Sequence, residues 1–152
     1  MLSLTIKFNN FDEGYRILDT YKALLGEHER EAAYNFNFGR LLFHQKRYQE
    51  AMRILQIIDS PSLMDNLDVR RMLLRMYYEE SDFDLLDSHL VSFGSFLRRH
   101  TELGYHRIHY LNLVKYTSKL MRTQSHYKRQ SVKDSILNCQ SILDKKWLLS
   151  MI

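Results

Sequence analysis

Seven histidines and a knot of carboxylates are the residues of this 152-residue chain best placed to do chemistry. His106 and His109 stand three residues apart, with His100 upstream. Two imidazoles on one helical turn can share a metal ion, but a metal site adds a third nitrogen or a carboxylate at fixed geometry. Glu102 is the acid closest in sequence, and it belongs to a loop. The histidines therefore read as surface or groove-lining groups, with no metal expected. Glu79, Glu80, Asp82, Asp84 and Asp87 form an acidic cluster. Paired carboxylates suit acid–base work. These fall at a turn between helices, where acids cap and complement a helix N-terminus. No nucleophile elbow, Walker-type loop or Gly-rich dinucleotide loop occurs. The lone Cys139 lies on an apolar stripe and reads as a packed thiol. The expectation is a non-enzymatic chain without a cofactor.

The elements that position these residues are helical. Five Gly and one Pro supply too little turn punctuation for an all-β fold. A content of 45% hydrophobic and 26% charged residues argues against disorder. One Cys excludes an internal disulfide framework and suits a reducing, cytoplasmic setting. No apolar run is long enough to span a bilayer. Residues 1–97 hold 11 Lys/Arg against 15 Asp/Glu, and residues 98–152 hold 11 against 3, formal balances of −4 and +8.

Periodicity divides the chain into about eight antiparallel helices in one domain, with hairpins at approximately 1–26, 28–59, 63–99 and 105–152. Stops are expected at Gly26 and at Ser60-Pro61. The fourth helix reaches Ile58. Asp82 is the expected N-cap of a sixth helix carrying Phe83, Leu86, Leu90, Phe93 and Leu97. The seventh, from about Tyr105 to Arg122, has Ile108, Leu111, Val114 and Leu120 or Met121 as its stripe. A loop is expected over 123–131, followed by one last helix from Val132 towards Ile152.

Two segments echo each other at an offset of 35, which relates Leu42 to Tyr77, Tyr48 to Phe83, Ala51 to Leu86 and Leu55 to Leu90. Self-similarity at that period marks a helical-hairpin repeat. The run from Asn37-Phe38-Gly39 to Tyr48-Gln49-Glu50-Ala51-Met52 resembles the tetratricopeptide repeat. Phe38 stands at the family's Leu, Gly39 at its Gly, Leu42 at its Tyr, Ala51 at its first helix-B Ala and Leu55 at the aromatic beyond. The second unit departs from the pattern, with Leu74 in place of Gly and Leu86 in place of Ala. Asn9-Asn10-Phe11-Asp12-Glu13-Gly14 looks like the turn of an earlier unit whose leading helix is short. The resemblance implies an all-α, right-handed α-α superhelix, the C-terminal piece of a longer solenoid.

It also implies a function. In tetratricopeptide arrays the A helices line a concave groove that receives a partner peptide or helix. Matched positions carry that role onto Phe36, Arg40 and Phe43, and onto Arg71, Arg75 and Tyr78. Aromatic residues with Arg are the composition of binding hot spots, and cations there suit an acidic peptide or a C-terminal carboxylate. The alternative is nucleic-acid binding through the basic C-terminal half, at Lys115, Lys119, Arg122, Lys128 and Arg129 among interleaved tyrosines.

Overall fold

The computed structural model describes residues 2–24, 27–58, 60 and 62–152. Among them are nine α-helices, one 3-10 turn and no strand, so the chain is an all-α helical array. It divides into two compact units, Met1–Glu79 and Glu80–Ile152. The stops expected at Gly26 and Pro61 lie outside the described residues.

The first unit holds α1 (Leu2–Lys7), α2 (Phe11–Leu24), α3 (Glu27–His44), α4 (Tyr48–Leu55) and α5 (Leu63–Glu79). The joints α1–α2 and α3–α4 are built alike. Asn9 and Lys46 take left-handed backbone conformations, with φ of 54° and 60°. The next amides donate back across the helix end, Asn10 N–H to Thr5 O at 2.8 Å and Arg47 N–H to Leu42 O at 2.9 Å. Asn9 N–H reaches Ile6 O and Lys46 N–H reaches Phe43 O. Both ends are thus Schellman caps, which satisfy carbonyls the helix leaves open. An aromatic residue, Phe11 or Tyr48, begins the following helix.

Close packing explains the small residues. A Cβ on Gly39 would lie 2.5 Å from Leu55 Cδ2 and 2.7 Å from Leu55 Cγ, so α3 and α4 approach where no side chain fits between them. Ala51 is fully buried. Helix α3 packs on α2, α4 and α5, around a core that includes Leu41, Leu42, Leu55, Leu67, Met72 and Leu74. Tyr48 donates its hydroxyl to Glu79 Oε2 at 2.6 Å and ties α4 to α5. Tyr48→Phe is expected to lower the stability of this unit by about 1.5 kcal/mol, measured by urea denaturation. Helix α4 ends at Leu55, short of the expected Ile58, and leaves Ile57 exposed. Ser62 Oγ then accepts from Asp65 N–H and caps α5.

The second unit holds α6 (Phe83–Arg99), the 3-10 turn Thr101–Leu103, α7 (His106–Arg122), α8 (His126–Asn138) and α9 (Lys145–Ser150). Asp82 caps α6 as the sequence predicts, accepting from Leu85 N–H at 3.3 Å. Leu86, Leu90, Phe93 and Leu97 are buried, but Phe83 is exposed. Helix α7 buries Leu120 as expected but otherwise turns inward a different face from the one expected. Tyr110, Leu113, Tyr116, Thr117 and Leu120 are buried, whereas Ile108 is exposed. Two tyrosines, amphipathic enough to stand on either face, carry much of the true stripe.

The C-terminal segment departs most from expectation. Helix α8 begins at His126, inside the stretch that reads as a loop, because it has almost no apolar stripe and Ile136 is its one fully buried side chain. The final helix is two helices. Lys145 Nζ donates to the carbonyls of Leu137 and Cys139 at 2.7 and 3.0 Å. Asn112 Nδ2 on α7 donates to Ser141 O at 2.7 Å. These bonds satisfy the carbonyls of an interrupted helix, and Asp144, left-handed with φ of 52°, starts α9. Periodicity carries no signal for them.

Candidate functional site

Helices α3 and α5 lie against each other in the first unit and bring three arginines together. Residues 37, 40 and 44 follow one face of α3 at helical spacing, and 68, 71, 75 and 78 follow one face of α5. Asp68 sits between the cations. Arg71 donates to Asp68 Oδ1 from Nε at 2.8 Å and from Nη2 at 2.7 Å. Arg40 Nε lies 3.7 Å from Asp68 Oδ2, a looser pairing. Arg75 Nη2 lies 3.9 Å from Glu79 Oε1. The three arginine side chains keep 18–23% of their surface open, so their cations are partly desolvated but still within reach of a partner.

The two phenylalanines assigned to partner contact are corrected by their burial. Phe36 and Phe43 are only 7% and 3% exposed. Arg40 lies over the Phe36 ring at 5.4 Å and Arg75 over Phe43 at 5.1 Å. Such stacking restrains a guanidinium against the ring face. The two rings form a buried floor beneath the cations. Tyr78 is half-buried on the same stripe of α5.

His44, at the end of α3, was not among the expected site residues. Its side chain is exposed at the surface. Its pKa is nevertheless lowered to about 4, by burial of part of the ring and then by the charges of Arg71, Arg40 and Arg75, against a smaller raising effect of Asp68. The local field is thus positive despite the acid. The unfolded chain takes up this proton near the ordinary 6.5, before the folded one does. The folded state should accordingly lose stability as pH falls from about 6.5 towards 4. In His44→Gln that loss should be smaller, measured by denaturation at pH 7 and pH 5. Equal losses in the two proteins would show that His44 titrates normally.

The spacing of Asp68 three residues before Arg71, and of His44 four after Arg40, was legible signal for both missed residues. Comparisons with protein-family models, curated proteins and solved structures give no match.

The basic residues of the second unit are engaged unequally. Lys115 and Lys119 are exposed, with their ammonium groups 5.2 and 5.7 Å from the Tyr116 ring. Arg122 pairs with Asp87 at 2.7 Å. Arg129 donates to Thr123 O at 3.3 Å and to Met151 O at 2.6 Å. It fastens the α7–α8 turn to the end of α9, which removes it from the proposed basic surface. Lys128 is exposed.

His100 Nδ1 lies 2.6 Å from Glu102 Oε1, and that hydrogen bond holds the Glu102 carboxyl below its usual range. The Tyr105 and His106 rings lie 3.9 Å apart, tilted by 33°. Among the described residues no group of three or more His, Cys, Asp or Glu is placed to hold a metal ion. No helix of the described residues is long and apolar enough to cross a membrane.

Proposed function

We propose that this chain is a non-catalytic protein-interaction module whose α3–α5 face receives an acidic segment of a partner. The observation that carries the reading is the convergence of Arg40, Arg71 and Arg75 beside His44, each guanidinium restrained by an aromatic ring or an acid. Restrained cations lose little freedom on binding a carboxylate, and desolvation strengthens each charged hydrogen bond. The recurring left-handed joint and the Gly39–Leu55 approach support a tetratricopeptide-like stack as the frame. In that frame the face is the groove side of successive A helices.

The test is fluorescence anisotropy with a labelled peptide bearing four Glu, against the same peptide with four Lys. The acidic peptide should bind, and its affinity should fall on raising the salt from 0.05 to 0.3 M. Absence of binding at low salt, or equal binding of the Lys peptide, sinks the reading.

Nucleic-acid binding is the second reading. It is favoured by Lys115 and Lys119 flanking one tyrosine ring, and weakened by the internal bonds of Arg122 and Arg129. A labelled oligonucleotide that fails to shift at low salt removes it.

A further inference from the structure

Beside the cationic face the first unit has an open pocket of about 380 Å³, lined by Leu2 of α1, Ile17, Leu18 and Tyr21 of α2, and Asn37 of α3. Among the described lining residues the polar groups are Asn37 and the tyrosine hydroxyl. The Asn37 amide is already engaged at both ends. Nδ2 donates to Ala33 O at 2.9 Å, and Oδ1 accepts from Arg40 Nη1 at 3.5 Å. A polar small molecule would find few groups left to orient it. The open mouth has room for a large apolar side chain entering from a longer segment.

The pocket and the cationic face are joined through α3. Asn37 lines the pocket and bonds to Arg40, and Arg40 shares Asp68 with Arg71. From Asn37 to His44 the helix rises about 10 Å, a distance that extended chain covers in about three residues. A segment of a few residues is therefore long enough to run along α3 from Asn37 past Arg40.

We infer that the occupant is a partner segment in which a Leu, Ile, Met or Phe stands two to four residues from an acidic run, the apolar side chain seated among Ile17, Leu18 and Tyr21 and the acids on Arg40 and Arg71. This rests on the acidic-docking reading above and adds the anchor that confers selectivity among acidic sequences. Charge complementarity selects the acidic run. The apolar lining, next to cations already fixed in place, selects what precedes or follows it.

The experiment uses the full chain and two labelled peptides, one with Leu three residues from a run of four Glu, the other with Ser in place of that Leu. Burying the Leu side chain should make the first bind at least about tenfold more tightly. In Tyr21→Asp, a change at a half-exposed position, the new carboxylate weakens both acidic peptides, and the tenfold preference between them should vanish. Equal binding of the two peptides to the wild type overturns the anchor and leaves acidic docking standing. Binding of neither peptide overturns both. A preference undiminished in Tyr21→Asp and in Ile17→Ser overturns the pocket as its seat. Sedimentation of the free proteins supplies a last outcome. A wild-type dimer that Tyr21→Asp dissolves would show a second copy in the pocket and end the proposal.

Discussion

Gly39→Val should destabilise the first unit by about 2 kcal/mol, the usual range for overpacking a close helix contact. In a unit of this size that is a fall in melting temperature on the order of 10 °C. The Cβ alone would stand 2.5 Å from Leu55 Cδ2, and the two branches of valine add to the intrusion. Leu55 is 1% exposed on α4, and the contact reaches its Cγ as well as its methyl groups, so its side chain or the helices themselves must shift. A matched control is Gly94→Ala on α6, where the nearest atom is the flexible end of Arg98 at 3.4 Å. Relief of backbone entropy should there raise stability by about 0.5–1 kcal/mol. Two glycines inside helices are thus expected to respond with opposite sign. A Gly39→Val protein that melts like the wild type would refute the close approach of α3 and α4.

Joint replacement of Arg40 and Arg71 by Gln should lower affinity for the acidic peptide by about two orders of magnitude, since each charged hydrogen bond is worth about 1.5–3 kcal/mol. The change turns three guanidinium groups facing Asp68 and Glu79 into one, so the face passes from net positive to net negative. Asp68 is partly open to water and remains solvated when its partners go, so helicity should be retained. A second readout is independent of any ligand. His44 loses two of the charges that hold its proton off, and its pKa should climb from about 4 towards 6.5, partially, because burial remains the largest cause. Proton resonances of the ring report the shift. Unchanged peptide affinity in a helical protein would refute the site. Arg75 is a poorer target, because a carboxylate in its place would lie beside Glu79 and over Phe43.

What the chain discloses in advance follows from which contacts are written in residue type. Gly39, Tyr48 and Ala51 are at positions where only size or ring shape satisfies the packing, and the α3–α4 hairpin is legible from them. The split of the last helix is written instead in bonds from Lys145 and Asn112 to main-chain carbonyls, which any sequence possesses. No periodicity registers such bonds. The face itself was half legible. Its arginines follow the helical spacing of α3 and α5, but the burial of Phe36 and Phe43 beneath them depends on how the two helices meet. Helix α7 shows the same limit, since Tyr110 and Tyr116 displaced Ile108 from the core.

The joints of the first unit have a wider consequence. Asn9-Asn10 and Lys46-Arg47 share neither charge nor size, yet both close a helix with the same pair of main-chain bonds, and Ser81, ahead of Asp82, takes the same left-handed φ. The second residue of a pair can also serve the next helix, as Asn10 Oδ1 accepts from Glu13 N–H and Asp82 caps α6, but the side chain of the first contributes little to the closure. That first, left-handed position, held by Asn9, Lys46 and Ser81, is a place where surface charge can be rewritten over evolutionary time, or by design, at small expense to folding.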